Sequence, residues 1–250
     1  MESKKTLIVS GCSFTAHDHN WPFILQELFD FNMINSAVPS QGNGLISRKI
    51  IHDINQAGVG WANIAPINTE DIVVGVMWSA IDRSERYISH DDMYVGPPFQ
   101  SYNPTNVTEY KWDGWRLMMP DWQSSEDCEL HYKVFNHVIS STVYTLEHIL
   151  RVQWYLKRLN IKYFMSTMQK LFDPELVKIR EISYLYNMVN WEKFLPVEGC
   201  IEWVQDNYKL EGFDPPKEDG FQDLHPTRFG HEKFTEEIIL PYLKQNDIIL

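Results

Sequence analysis

The chain is short of positive charge. It has 22 lysine and arginine residues against 34 aspartate and glutamate residues, which gives a formal net charge of −12. Because binding to a phosphate backbone needs a basic surface, this balance argues against nucleic acid as the main partner. No apolar run has the length of a membrane span, and only a few apolar residues precede Gly11, fewer than a secretory signal needs. We therefore expect a cytoplasmic protein that has no membrane contact.

Cysteine is also scarce. The three cysteines are far apart and odd in number, at positions 12, 128 and 200, which fits a reduced compartment and no disulfide framework. Gly42 and Gly44 lack the spacing of a dinucleotide fingerprint and the lysine of a P-loop. The triplet His17-Asp18-His19 contains metal-ligand types, but three adjacent residues rarely surround one ion. We therefore expect neither a cofactor nor a metal.

Apolar segments alternate between strand and helix character. Strands are predicted at 7–10, 33–37, 71–78 and 161–166. Helices are predicted from Trp21, over 45–54, over 135–159 and after Asp173-Pro174. A last helix is predicted after Thr227, and Pro241 is expected to kink or end it. The segment 71–78 is apolar throughout, which is typical of a strand buried on both faces of a parallel sheet. The sequence therefore predicts an α/β fold, a three-layer α/β/α sandwich, in a single domain over 1–250.

A long connection, at about 82–132, interrupts this alternation. It is rich in aromatic residues and broken by glycine and proline. Because it leaves the sheet at the end of the strand 71–78, we expect it to form one wall of a cleft, with Trp112, Trp115 and Trp122 as candidate contacts. The alternative is that these aromatics form a small core of their own. Arg83 is a candidate for binding a substrate carboxylate or an acidic sugar, with a structural salt bridge as the favoured alternative.

Two short motifs at opposite ends of the chain indicate chemistry. Gly11-Cys12-Ser13 follows the first strand and presents a serine at its carboxyl end, and Asp223-Leu224-His225 precedes the last helix. Ser13 is a weak nucleophile until a base takes its proton, and His225 is the natural base because histidine is the usual general base of such sites. Asp223 would orient the imidazole. The alternative is that Ser13 caps a helix and His225 lies in a turn.

These motifs, with the middle strand, resemble the SGNH (GDSL-like) hydrolase superfamily, in a variant similar to phage and marine bacterial members. Cys12 replaces the aspartate of the family's Gly-Asp-Ser block, and Asp223 lies two residues before His225 where the family has three. The family's third block ends in Gly-x-Asn, and here Gly75 is followed by Val, Met, Trp78 and Ser79.

The resemblance also implies an oxyanion hole formed by two loops. Its donors would be the N–H of Ser13, an N–H within Ser40–Gly42, and either Asn43 or Ser79. Asn43 has an equally weighted alternative, in which its side chain only holds the loop in place.

The resemblance implies a flavodoxin-like fold and a serine esterase that acts on a small-molecule or glycan ester, such as an O-acetyl group on a carbohydrate. Two alternatives stay open. In the first, the chain is an inert glycan-binding or phage structural module, with contacts in a virion or a homo-oligomer. In the second, it is an O-acyltransferase that uses the same triad. A phage-encoded chain would belong to the virion.

Overall fold

The computed structural model describes residues 4–59, 67–87, 115–120, 126–209, 211–216 and 222–249. Within them, the strands are β1 Thr6–Ser10, β2 Asn32–Asn35, β3 Ile72–Trp78, β4 Ser84–Tyr87, β5 Trp115–Met118 and β6 Lys162–Thr167. The α-helices are α1 Ser13–Ala16, α2 Trp21–Phe29, α3 Asn43–Val59, α4 Glu126–Leu130, α5 Val138–Arg158, α6 Arg180–Met188, α7 Cys200–Tyr208, α8 Arg228–Phe234 and α9 Leu240–Gln245.

A parallel sheet of four strands lies at the centre, in the order β2-β1-β3-β6. β1 pairs with both β2 and β3, so the carboxyl end of β1 lies in the middle of the sheet edge. A separate antiparallel pair is formed by β4 and β5. In a parallel sheet all carboxyl ends share one edge, so the loops after β1, β2 and β3 meet there.

Helices cover both faces of the sheet. Alternate residues of each strand point to opposite faces, and every residue of β1 and β3 is buried. Leu7, Val9, Val73 and Met77 belong to a core shared with Trp21 of α2 and with the C-terminal helices. The other faces of the strands pack in a second core against α3, α5 and α6, through Ile8, Val74, Val76, Ile46 and Leu146. The predicted three-layer α/β/α sandwich is therefore confirmed.

Two helix boundaries differ from the prediction. The helix expected after Asp173-Pro174 is reduced to a short 3₁₀ turn, Leu176–Lys178, and α6 starts only at Arg180. Asp173 Oδ1 accepts a hydrogen bond from the N–H of Glu175 at 2.7 Å, as an N-cap side chain does, but the extended backbone of Ile179 interrupts the helix before α6. The long helix begins at Val138 and not at Phe135, because a π-helical turn, His131–Phe135, precedes it.

Pro241 kinks the last helical stretch without ending it. A π-helical turn, Thr235–Ile239, joins α8 to α9, and Pro241 lies in the first turn of α9. Proline has no N–H to donate to the preceding turn, which explains why the regular hydrogen-bond pattern widens just before it. Among the residues that the structure describes, no helix is long and apolar enough to cross a membrane.

Gly75 allows β3 to lie close to a tryptophan. A Cβ atom at this position would lie 2.8 Å from Trp21 and 2.9 Å from Phe164. We therefore predict that Gly75→Ala lowers the free energy of unfolding by about 1–3 kcal/mol through overpacking, as measured by urea denaturation. Gly58→Ala is the matched control: a Cβ there meets nothing within 4 Å, and alanine in α3 should stabilise the protein by about 0.5–1 kcal/mol. Equal effects at the two positions would contradict this account of the packing.

Candidate active site

Ser13 lies directly after the central strand of the sheet. The chain leaves β1 through Gly11 and Cys12, and Ser13 is the first residue of α1. Gly11 is needed because a Cβ would come within 2.2 Å of the Thr15 hydroxyl and 3.0 Å of the Met77 carbonyl on β3. The sharp turn presents the serine hydroxyl at the carboxyl edge of the sheet.

The serine hydroxyl meets the histidine motif from the far end of the chain. Ser13 Oγ lies 2.6 Å from His225 Nε2, and Asp223 Oδ1 is hydrogen-bonded to Nδ1 of the same ring. The same carboxylate oxygen accepts a bond from the N–H of His225 at 3.0 Å. Because a carboxylate only accepts, Nδ1 carries the proton and the Nε2 lone pair faces the serine hydroxyl. The structure thus brings together the three residues expected from sequence.

Polar side chains from the neighbouring loops fix the backbone around Ser13. Asn20 Nδ2 donates to the Ser13 carbonyl at 2.6 Å, and Asn35 Nδ2 donates to the Thr15 carbonyl at 2.9 Å. The fully buried Gln41 donates from its amide to Ser10 Oγ at 3.0 Å and to the Gly11 carbonyl. These bonds give the polar groups around Ser13 partners within the protein and hold the turn after β1 in place.

Two backbone N–H groups are candidate oxyanion donors in this geometry. Ser13 begins a helix, where the first N–H groups have no intrahelical acceptor. Ser40 has φ 68°, in the left-handed region that favours glycine, so it takes the backbone conformation of a glycine position in the loop after β2. Within the described residues, the N–H groups of Ser13, Ser40 and Gly42 donate no hydrogen bond.

The Asn43 side chain is committed to the scaffold. Its Nδ2 donates to the Ser79 carbonyl at 3.0 Å and to Thr145 Oγ1 at 3.1 Å, and its Oδ1 accepts from the Ser79 N–H at 2.8 Å. Both amide protons of Asn43 are donated within the protein, where they hold the loop in place. The Ser79 hydroxyl is fully buried, and it contacts Met168 and Arg83.

Arg83 forms no ion pair with any described residue, and both expectations for it, a substrate carboxylate and a structural salt bridge, stay predictions. Its guanidinium donates to Ser79 Oγ at 3.0 Å, a neutral acceptor. Of the predicted substrate-wall tryptophans, Trp112 and Trp122 lie outside the described residues, as does most of the segment 82–132. Trp115 begins β5, but its side chain is also outside the description.

Three further histidines surround the His225 ring. His17 and His19 stack with ring centroids 5.7 Å apart, and His19 lies 6.3 Å from the buried His231. Burial, followed by the nearby His19, His225 and His17, lowers the pKa of His231 to about 3. Burial also lowers the pKa of His17, helped by His19 and His225. Within the described part of the chain, no group of side chains could hold a metal ion.

Phe14 is a site residue that the sequence did not reveal. Its ring lies 4.8 Å from that of His225 at an interplanar angle of 32°, and it also contacts His231 edge-on at 6.4 Å. The contact restricts how the catalytic imidazole candidate can rotate. The one signal for Phe14 in the sequence is its position directly after Ser13, and this position does not predict a partner far along the chain.

Three solved structures that are similar to this chain share about a tenth of its sequence. No family model and no curated protein matched this chain. Similar solved structures include TesA, at 13% identity and TM-score 0.44, covering 96% of this chain and 99% of that one. Another is the psychrotrophic esterase EstA from Pseudoalteromonas sp., inhibited by monoethylphosphonate, at 11% identity and TM-score 0.49, covering 97% and 98%. A third, described as a lipolytic protein of the G-D-S-L family from Desulfitobacterium hafniense DCB-2, has 12% identity, TM-score 0.45 and coverage of 97% and 99%. Similarities of this size do not establish a reaction, which has to be inferred from the side chains of the site.

The buried His231 makes stability depend on pH. Its pKa is lowered to about 3 in the folded protein, whereas an unfolded histidine has a pKa of about 6.5. Below about pH 6.5 the unfolded chain binds a proton that the folded chain does not, so stability is fully present above that pH and is lost as the pH falls towards 3. From pH 7.5 to 5.0, this group should remove about 2 kcal/mol.

We predict that His231→Gln loses about 2 kcal/mol less than the wild type over this interval in urea denaturation, because glutamine does not titrate. The starting stability of the variant does not matter to the comparison, since only its change with pH is measured. Equal losses in the two proteins would show that His231 does not carry this proton.

Proposed function

We propose that this chain is a serine esterase that acts through Ser13, His225 and Asp223. The observation that supports the proposal most directly is the 2.6 Å contact between Ser13 Oγ and His225 Nε2, with Asp223 on the opposite ring nitrogen. This is the arrangement that activates a hydroxyl for acyl transfer. It is recognised by geometry and by the roles of the groups, so the low sequence similarity to other proteins does not weaken it.

The reaction follows from the proton positions. Ser13 Oγ attacks the ester carbonyl while its proton passes to His225 Nε2, and a tetrahedral oxyanion forms. The imidazolium, stabilised by Asp223, returns that proton to the leaving alcohol as the carbonyl reforms and the acyl-enzyme remains. Water then loses a proton to His225 and attacks the acyl carbon, and the proton returns to Ser13 as the acid leaves.

Backbone N–H groups would stabilise the oxyanion. We assign the Ser13 N–H as one donor and the Ser40 N–H as the other, because both lack an acceptor among the described residues and Ser40 has the left-handed backbone of a glycine position. Gly42 is the nearest alternative to Ser40. A donor of this kind contributes roughly 10²–10³ to the rate.

A short acyl ester on a carbohydrate is the substrate class that the resemblance to SGNH hydrolases suggests. The departures from the family's third block and from its spacing of acid and histidine favour a rival proposal, an inert glycan-binding or virion module. An O-acyltransferase would use the same acyl-enzyme but pass the acyl group to a sugar hydroxyl. Labelling of Ser13 separates the inert module from the esterase and the acyltransferase. An added sugar acceptor separates the last two, because only the acyltransferase forms an ester with it where the esterase releases the acid.

The first test is reactivity of Ser13. We predict that a fluorophosphonate labels the protein at this residue, as detected by mass spectrometry of the digested adduct, because His225 makes this hydroxyl nucleophilic. Ser13→Ala should lose the label, and Ser183→Ala on α6 should keep it. A folded wild-type protein that takes no label would favour the inert module.

The second test concerns Asp223. In Asp223→Asn the amide can no longer accept the Nδ1 proton in the same way, so the imidazole loses its orientation and the imidazolium its counter-charge. We predict that kcat for 4-nitrophenyl acetate falls by roughly 10³–10⁴ without loss of folding. Asp214→Asn is the control, since it removes the same charge at an exposed position nearby. Unchanged turnover in Asp223→Asn would mean that another acid, or none, supports His225.

A further inference from the structure

A cavity of about 370 Å³ lies at the start of α3. It is enclosed by the first turns of α3 and α5, by the chain from Ile81 to Arg86, and by His131. The residues that line it do not include Ser13 or His225. The proposed reaction therefore does not account for this cavity.

Arginine is prominent in its lining. Three arginines, Arg48, Arg83 and Arg86, face the cavity with two carboxylates, Asp82 and Glu85. Glu85 is buried and pairs with Arg48, so these two charges compensate each other. The excess is positive, in a protein whose formal net charge is −12.

The other two arginines donate to neutral acceptors. Arg83 donates to Ser79 Oγ at 3.0 Å, and Arg86 donates to His131 Nδ1 at 3.3 Å. A guanidinium cannot accept, so His131 Nδ1 is unprotonated and its Nε2–H faces Ser84 Oγ at 3.0 Å. Burial and Arg86 both lower the pKa of His131, which keeps that ring uncharged. Neither Arg83 nor Arg86 forms an ion pair with a described residue.

Most N–H donors of these two guanidinium groups therefore have no acceptor among the described residues. A guanidinium has five N–H donors in a planar fork that matches a carboxylate. His148 also lines the cavity, and its buried Nδ1 has no partner among the described residues. The exposed rings of Phe135 and Tyr144 stand at the rim, where they provide apolar contact area.

One loop contacts both the turn before Ser13 and a segment that lines the cavity. Gln41 donates to the Gly11 carbonyl, and a Cβ on Gly42 would lie 2.6 Å from the Arg83 carbonyl. Ser40, the assigned oxyanion donor, belongs to the same loop. This loop therefore connects the candidate active site to the residues that line the cavity.

We propose that this cavity is a subsite that binds a carboxylate carried by the ester substrate, with Arg86 and Arg83 as its anion-binding groups. This rests on the proposed esterase function. The preference for an acidic substrate would have to come from these local groups, because the net negative charge of the protein repels anions at longer range.

The test uses two esters that differ only at the remote acid. 4-Acetoxybenzoate carries a free carboxylate, and methyl 4-acetoxybenzoate has it blocked, while the acetyl ester to be cleaved is the same. The readout is kcat/KM for acetate release. We expect the wild type to prefer the acid roughly tenfold or more, the effect of a charge-assisted hydrogen-bonded pair.

Arg86→Gln should bring that preference close to unity. Arg83→Lys, which keeps the charge but loses the planar fork, should reduce it in part and serves as the second variant if Arg86→Gln does not fold. Arg180→Gln removes the same charge at an exposed position of α6 and should keep the preference. A preference that is absent in the wild type, or that survives in both cavity variants, would overturn the proposal.

A binding measurement separates this proposal from the esterase proposal. Ser13→Ala protein is titrated with 4-hydroxybenzoate and followed by NMR chemical shifts, with and without Arg86→Gln. If neither ester is cleaved but binding depends on Arg86, the esterase proposal fails and the carboxylate site stands. If 4-hydroxybenzoate does not bind, or binds equally without Arg86, the carboxylate site is wrong whatever the enzyme cleaves.

Discussion

The candidate site depends on a hydrogen bond between residues that are 212 positions apart in the sequence, Ser13 and His225. Such a bond contributes about 1 kcal/mol net to stability, whereas closing a loop of this length costs roughly 5 kcal/mol in chain entropy plus a constant. The bond cannot hold the two ends together by itself. Their approach has to be a consequence of the packing beneath them.

That packing is visible on one face of the sheet. Phe234 and Ile239, which follow the histidine motif, are fully buried in the same core as Trp21 and Leu25 of α2. Burying large apolar side chains contributes about 1.5–3 kcal/mol each, so a few of them outweigh the closure cost. α8 is also fixed at its start, where Thr227 Oγ1 accepts from the Gly230 N–H at 3.3 Å. His225 lies two residues before this cap, so its loop has little freedom.

The sequence predicts well the strands and helices that its local hydrophobic periodicity determines. The four strands of the parallel sheet fall within two residues of their predicted ends, and α2 begins at the predicted Trp21, because apolar runs and turn residues specify them locally. The helix expected at Asp173 is only a 3₁₀ turn, Leu176–Lys178, because the extended backbone of Ile179 interrupts it before α6. The hydrogen bond from Gln41 to Ser10 and the contact between Phe14 and His225 join residues that are distant in the sequence. Spacing along one chain carries no signal for such pairs, so they needed the structure.

The short spacing of the acid and the histidine has its own physical explanation. With only Leu224 between them, one oxygen of Asp223 accepts both the N–H of His225 and its ring Nδ1–H, so a local turn replaces the longer spacing of the family. Both side chains are nearly half exposed, at 46% for Asp223 and 45% for His225. Solvent and salt screen the Coulomb attraction at that exposure, which leaves little net energy in the ion pair itself. The contribution of Asp223 is therefore mainly orientation: it fixes the tautomer that turns the Nε2 lone pair towards Ser13, and the adjacent Phe14 ring keeps the imidazole from rotating away.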